Sequence, residues 1–443
     1  MATYLVKGGR QLSGVYEVSG AKNAGPKLII AAMLSDKECV LRNIPRISDT
    51  EKIMSAIRLV GGQASWTGPH EVTVNCAGVS KSEVPTVVLS ARHAVLFIGA
   101  TLARLGKVRI AKIGGDKIGK RPIDRLLSGL ENLGAEIKQG PGILDISMPE
   151  RPVSRDYTFA KNTHTGTESL ILGSIFNNGR VIIKNAAAEP EIDNLINFLN
   201  AMGAKVKRKG ERVIEIIGVA KLLGEATGES MNDRLEAATA ITLAALNGGK
   251  IKIKYNEPEM LRAYSNVLEN IGITLKWSKK KVWADKINKS LTPITVKTAV
   301  YPGFMTDWQP IIVLLLVVKA HGRSEVLEMI YEKRWSALRE LGKMGVKYEL
   351  FQPEGYSASD YNFNEREYSL DEPYGAYVWG PTELKAAEVE SHDVRAGICV
   401  LLAAIFAKGE SVIKDPQDHI ARGYENIIGK LTKLGADIKL LEN

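Results

Sequence analysis

The chain is poor in cysteine, histidine and aromatic residues: three Cys, six His and 6% Phe, Trp and Tyr in 443 residues. Cys39, Cys76 and Cys399 are too few and too scattered for a disulfide framework, as expected of a protein kept in a reducing compartment. No two of them stand at zinc-motif spacing, so no metal is expected. Long apolar runs are also missing. The longest run of Ile, Leu and Val, Ile311 to Val318, has eight residues, where a membrane span needs ~18 or more. Met1 to Lys7 hold no signal-peptide core. A cytoplasmic protein with no membrane partner is therefore expected. Nor is charge of one sign concentrated: Lys and Arg exceed Asp and Glu by 59 − 50 = 9, spread along the chain. This mild excess suits anionic small molecules. No basic stripe with interleaved aromatics marks a nucleic-acid interface, and no nucleic-acid partner is expected.

What the chain does have is a repeat. A leucine-rich helical segment, then Gly, then a short strand recurs six times, with key glycines Gly61, Gly134, Gly203, Gly272, Gly345 and Gly435. Their spacings are 73, 69, 69, 73 and 90. A glycine just past a helix takes the left-handed conformation that side chains resist, and the chain turns directly into a strand. A second series of turns interleaves with the first, as at Leu105-Gly106, Asn178-Gly179, Gly248-Gly249, His321-Gly322 and Lys408-Gly409. Each unit of about 70 residues thus holds two helices and several strands, a mixed α/β order. An even split gives two domains of three units. The long last spacing marks an insertion of roughly 20 residues within Gln352 to Pro381, expected to be a surface loop without a chemical role.

Several short segments carry reactive or anion-binding residue types. Ser19-Gly-Ala-Lys22-Asn23 is expected to open the first long helix, where an ammonium and backbone N–H groups favour anions. Gly114-Gly115-Asp116-Lys117-Ile-Gly119-Lys120-Arg121-Pro122 is a basic glycine-rich loop, with Asp116 a candidate acid and Pro122 suited to the first helical position. Thr306 or Asp307 is expected to cap the apolar helix from Ile311. Arg334 is expected at a strand end, Ser391-His392-Asp393-Val-Arg395 at a helix start, and His419 to Glu425 ahead of the last helix. Each segment alone has an ordinary structural explanation.

Together, Ser19-Gly-Ala-Lys-Asn-Ala, Gly119-Lys-Arg-Pro-Ile-Asp124, Asn185-Ala-Ala-Ala-Glu-Pro-Glu-Ile, Asp233-Arg-Leu-Glu236, Phe304-Met-Thr-Asp307, Asp393-Val-Arg395-Ala and Arg422-Gly-Tyr-Glu425 resemble the enolpyruvyl transferases. The likeness runs from about Gly14 to Asp437 and is greatest to the branch that acts on UDP-N-acetylglucosamine in cell-wall precursor synthesis. The resemblance implies a two-domain inside-out α/β barrel, each domain built of three βαβαββ-type units, with the active site between the domains. Residues 22–231 would form the domain carrying the Asp116 loop, and residues 1–21 with 232–443 the domain carrying Asp307, Arg334, Arg395 and Arg422. It implies phosphoenolpyruvate and UDP-N-acetylglucosamine as substrates and no cofactor. Lys22 and Asn23 would contact both substrates, and Arg92 the phosphates. Arg121, Pro122, Ile123 and Asp124 would line the diphosphate and uracil end, beside the turn of Lys161, Thr163, His164, Thr165 and Gly166. Arg334, Arg395 and Arg422 would hold phosphoenolpyruvate, Asp307 would act as base and Asp116 as acid. Arg suits such work because its planar fork binds oxyanions bidentately and keeps its proton.

Three positions depart from the family pattern. Asp116 stands where the loop usually has Cys, so resistance to the thiol-alkylating epoxide fosfomycin is expected. A free carboxyl ionises at pH ~3.9, so Asp116 is an acid only where its surroundings favour the neutral form, for instance a bound phosphate dianion. The Lys161–Glu168 turn, with His164 and Glu168, replaces a shorter Ser-Val-Gly turn. Arg125-Leu126 replaces Leu-His. These last two changes leave open a divergent transferase on another nucleotide, and Asp116 leaves open a silent paralogue that binds a UDP-sugar.

Overall fold

A computed structural model of the chain describes residues 2–151, 153–222, 225–255, 257–288 and 290–441. They fold into two compact units, one of residues 1–19, 116–121 and 233–443, the other of residues 20–115 and 122–232.

All six repeat glycines have positive φ, between 98° and 106°. Each follows a helix that buries one face only. In Arg262–Ile271, for example, Tyr264, Leu268 and Ile271 are buried at helical spacing, and Gly272 then turns the chain into the strand Ile273–Trp277. Six other helices are buried nearly all round. They are Gly25–Ala31, Ala94–Leu105 and His164–Gly173 in one unit, and Arg234–Leu246, Gln309–Lys319 and Val394–Phe406 in the other. A helix apolar on every side belongs in a core. Each unit therefore has its helices inside and its sheets outside, the inside-out barrel that the resemblance implied.

Among the described residues there are six sheets, three per unit, on one plan. In one, Thr295–Lys297 runs parallel to Gly322–Leu327, which pairs antiparallel with Gly375–Gly380, itself antiparallel to Tyr348–Phe351. Four others repeat that order. The sixth keeps three strands, and its parallel edge shrinks to a single bridge, Glu83 to Arg109. The N-terminal strand Ala2–Lys7 lies between Glu410–Asp415 and Asp437–Leu441, so the two ends of the chain share one sheet.

Four local expectations change. The first helix is short, Gly25–Ala31, and continues only as the 3-10 turn Ala32–Leu34. Pro122 lies before the N-cap of its helix, Asp124–Asn132, because Arg121 takes φ +47° and delays the helical geometry. Arg334 leads into the helix Ser336–Lys343 rather than ending a strand: the strand Gly322–Leu327 stops when the Glu328 carboxylate accepts the N–H groups of Ile330 and Tyr331. The insertion is no bare surface loop. Tyr361, Phe363 and Tyr374 are buried with Leu327 and Met329 in a small core of their own.

Candidate active site

In the unit that holds both chain ends, the candidate residues meet. The 3-10 turn Thr306–Trp308 precedes Gln309–Lys319, and neither Thr306 nor Asp307 caps that helix. Both are drawn elsewhere: Thr306 Oγ1 donates to Glu328 at 3.0 Å, and Asp307 faces two arginines. Arg334 is 2% exposed; its Nη2 lies 2.7 Å from Asp307 Oδ1, and its Nη1 donates to Thr306 Oγ1 at 3.2 Å. Arg395 starts the helix Val394–Phe406, where Asp393 accepts its N–H and that of Ala396. Its Nε lies 3.7 Å from Asp307 Oδ1, and its Nη1 donates to Tyr424 Oη at 2.9 Å. Arg422, from the short helix His419–Gly423, pairs its Nη2 with the carboxylate of Asp116. Arg121 and Arg334 each stand 5.5 Å from the centre of the Tyr331 ring.

Charge explains what this cluster is fit for. Arg334, Arg395 and Arg422 face Asp307 and Asp116, and Arg121 and Arg334 share the Tyr331 ring. Burial alone works against the Arg395 charge, but Tyr424, Asp307 and Asp233 outweigh it and hold the guanidinium upward. Arg334 is likewise held upward against burial by Asp307, Asp393 and Glu328. Burial pushes the Glu328 carboxyl up, partly offset by Arg334 and the backbone N–H groups. The result is a set of buried, permanently protonated guanidinium forks suited to the oxygens of a small anion.

The other candidates lie in the second unit. Lys22 and Asn23 occupy the turn before Gly25–Ala31, and Lys22 Nζ is 3.4 Å from the buried Asp49, which also faces His93 at 3.6 Å. Arg92 donates to the Pro122 carbonyl at 3.2 Å. Ile123 is the N-cap and Asp124 the first residue of the next helix. Arg125, one departure from the family pattern, donates to the Asn162 carbonyl at 2.7 Å. That contact joins it to the other departure, the turn from Lys161 through Thr163 into the helix His164–Gly173, which also includes Thr165 and Gly166. Thr163 begins this helix, its carbonyl accepting from Thr167 N–H and Oγ1. Arg121 is grouped with the arginine cluster and not with Pro122, Ile123 and Asp124.

Sequence reasoning missed several partners. Tyr424, inside the quoted Arg422-Gly-Tyr-Glu stretch, orients Arg395. Glu328 and Asp49 are buried acids with no local signal. Lys27 is the least expected: it is 2% exposed, and its Nζ lies 2.8 Å from Glu168 and 3.2 Å from His164 Nε2. Burial and Lys27 both oppose charge on His164, yet Glu168 and Glu189 raise its pKa above 6.5. Glu168, against the pull of burial, is lowered below 4.5 by Lys27 and His164. His392 and His419 have structural partners, Glu340 at 3.0 Å and the Ser391 carbonyl at 3.0 Å. Among the described residues no group of three or more His, Cys, Asp or Glu could hold a metal ion, and no helix is long and apolar enough to cross a membrane.

Comparison with known proteins places this architecture. The family model described as EPSP synthase (3-phosphoshikimate 1-carboxyvinyltransferase) matches residues 6–431. A UDP-N-acetylglucosamine 1-carboxyvinyltransferase 2 of Latilactobacillus sakei is 33% identical over 444 residues, covering 100% of both chains. A UDP-N-acetylglucosamine 1-carboxyvinyltransferase 1 of Symbiobacterium thermophilum is 36% identical, covering 98% of this chain and 94% of its own. Among solved structures, the enolpyruvyl transferase NikO from Streptomyces tendae shares the fold with a TM-score of 0.84 at 21% identity, covering 99% of this chain and 98% of its own. EPSP synthase from Acinetobacter baumannii shares it with a TM-score of 0.69 at 16% identity and full coverage of both chains. Fold and cationic site together define an enzyme of the 1-carboxyvinyl transferase class. The chain belongs to the EPSP synthase family of enolpyruvyl transferases.

Proposed function

We propose that this enzyme transfers the enolpyruvyl group of phosphoenolpyruvate to the 3′-hydroxyl of UDP-N-acetylglucosamine, with release of phosphate, in peptidoglycan precursor synthesis. The observation that carries this is the buried set of Arg334, Arg395 and Arg422 around Asp307 and Asp116. The names of the full-length relatives support the acceptor. Residues 22–231 would serve the nucleotide-sugar and supply Lys22 and Asp116, and residues 1–21 with 232–443 would hold phosphoenolpyruvate and supply Asp307 and Arg395. Lys22, Asn23, Arg92, Pro122, Ile123, Asp124 and the turn Lys161 to Gly166 would bind the nucleotide-sugar, with Lys22 also reaching phosphoenolpyruvate. Arg121 would bind anionic oxygens from its place in the arginine cluster.

In the proposed reaction Asp307 takes the proton of the sugar hydroxyl as its oxygen attacks C2 of phosphoenolpyruvate. Asp116 delivers a proton to C3, forming a tetrahedral adduct. Loss of a C3 proton then expels phosphate and restores the vinyl group. Arg395 and Lys22 stabilise the charge that develops. Asp116 is paired with Arg422. A phosphate dianion arriving at Arg422 would release that carboxylate and favour its protonated form. Binding and acid loading would then be a single event.

Fosfomycin resistance is part of the same proposal, because Asp116 offers the epoxide no thiol. Burial pushes the thiols of Cys39 and Cys76 up to about 11 and about 12, and that of Cys399 well upward, and all three are buried. No described cysteine is poised as a thiolate for alkylation. The test is phosphate release from phosphoenolpyruvate with and without UDP-N-acetylglucosamine, with the product weighed. Release that needs the sugar nucleotide, and an acceptor heavier by one enolpyruvyl group, supports the proposal. Saturable UDP-sugar binding without release favours a silent paralogue; release with a different nucleotide only overturns the acceptor.

A further inference from the structure

The insertion reaches the loop that carries Asp116. Antiparallel neighbours are commonly joined by two to five residues. Here the strands Tyr348–Phe351 and Gly375–Gly380 are joined by residues 352–374, which is 374 − 352 + 1 = 23 residues. This segment is built rather than loose. The Tyr361 ring lies 5.0 Å from Phe363, 4.8 Å from Tyr374 and 5.6 Å from Tyr368. Trp335 Nε1 donates to the Pro373 carbonyl at 2.8 Å, and Asn362 N–H to the Met329 carbonyl at 2.8 Å, fixing the segment to its own unit.

From this platform the 3-10 turn Glu365–Glu367 presents Glu367, whose side chain is only 6% exposed. Its carboxylate meets Lys120 Nζ at 2.8 Å. Lys120 belongs to residues 116–121, which pack within the same unit as the insertion. Two further contacts hold that stretch: Lys333 N–H donates to the Ile118 carbonyl at 3.0 Å, and Lys120 N–H to Glu332 Oε1 at 3.5 Å. A Cβ at Gly119 would fall 1.8 Å from Glu332 Oε2. Gly119 thus has no room for a side chain while Glu332 lies against it.

We infer that Glu367 is a positioning residue for the transfer reaction: through Lys120 it docks the loop that places Asp116 beside Arg422, and this is the role of the insertion. The inference rests on the proposed use of Asp116 as the acid. Docking is nevertheless read separately, by amide hydrogen exchange of residues 116–121 in the intact enzyme. Glu367→Lys should speed that exchange about fivefold and lower kcat for phosphate release. The double variant Glu367→Lys with Lys120→Glu should restore both. If Glu367→Lys also loosens residues 356–374, then Lys120→Glu, which leaves the aromatic core intact, decides; it should speed loop exchange by the same factor. Unchanged exchange at 116–121 in Lys120→Glu, or a charge swap no better than either single variant, overturns the inference. A fully active Asp116→Asn enzyme whose loop exchange still responds would sink the acid and spare the docking.

Discussion

Replacing Lys27 by Met tests the buried triad beneath the Lys161–Glu168 turn. Glu168 is fully buried and Lys27 nearly so, with 2.8 Å between them. At an effective dielectric constant of about 20, unit charges at that distance attract by about 6 kcal/mol. Desolvation offsets much of this, and removal of one partner of a buried pair destabilises by about 3–5 kcal/mol. His164, 3.2 Å from Glu168 Oε1, decides where in that range the variant falls. Its pKa is already above 6.5 while Lys27 opposes its charge, so loss of Lys27 raises it further. A raised histidine stabilises fully below its unfolded pKa and loses that contribution as pH rises through its folded value. The Lys27→Met loss should therefore lie nearer ~3 kcal/mol at about pH 6, where imidazolium still neutralises Glu168, and nearer ~5 kcal/mol at a pH high enough to remove that proton. Equilibrium urea unfolding at both pH values measures it. Adding Glu168→Met should recover most of the loss, because the buried carboxylate that lost its lysine is then gone. A Lys27→Met loss below about 1 kcal/mol, or a double variant as unstable as the sum of the singles, would refute the ion-pair account.

Other outcomes follow from the same geometry. Asp116→Cys should introduce a thiol that fosfomycin alkylates, whereas the native enzyme should remain unlabelled by mass spectrometry. Arg395→Lys should lower kcat/KM by about 10–150-fold, because an ammonium cannot serve both Asp307 and Tyr424 at 3.7 and 2.9 Å. Gly345→Ala should destabilise by about 1–2 kcal/mol in thermal unfolding, from backbone strain alone, since φ is +98° and nothing lies within 4 Å of the added Cβ. In the native enzyme Glu168 contributes fully above pH 4.5 and loses its contribution as pH falls, while His164 contributes fully below 6.5. The triad should therefore stabilise most between those values, as a comparison with His164→Gln across pH would show.

The repeat was legible because one backbone requirement recurs: six glycines whose φ near +100° no other residue adopts cheaply. The interleaved series of turns marked the second set of helices, but not that they are buried nearly all round. Legibility ended where distant segments compete for one side chain. Asp307 is placed like a cap, but two buried arginines outbid the helix for its carboxylate. Arg334 was set after a strand, and only Glu328, folded back onto two N–H groups, shows why the strand stops early. Lys27 and Glu168 meet across 141 positions, and nothing local marks either as buried. The insertion read as polar surface because its aromatics are scattered singly among Asp, Glu and Pro, and their cluster exists only once the chain has folded.

The most direct test of the central claim is single-turnover phosphate release by Asp116→Asn beside the native enzyme, across pH, with saturating phosphoenolpyruvate and UDP-N-acetylglucosamine. Asparagine keeps the size of the side chain and removes the proton. With Asp116 as the acid, release should fall by about 10²–10⁴-fold, and the pH dependence of the remaining rate should lose the limb set by that carboxyl. Release within tenfold of native, with an unchanged pH profile, would contradict the account.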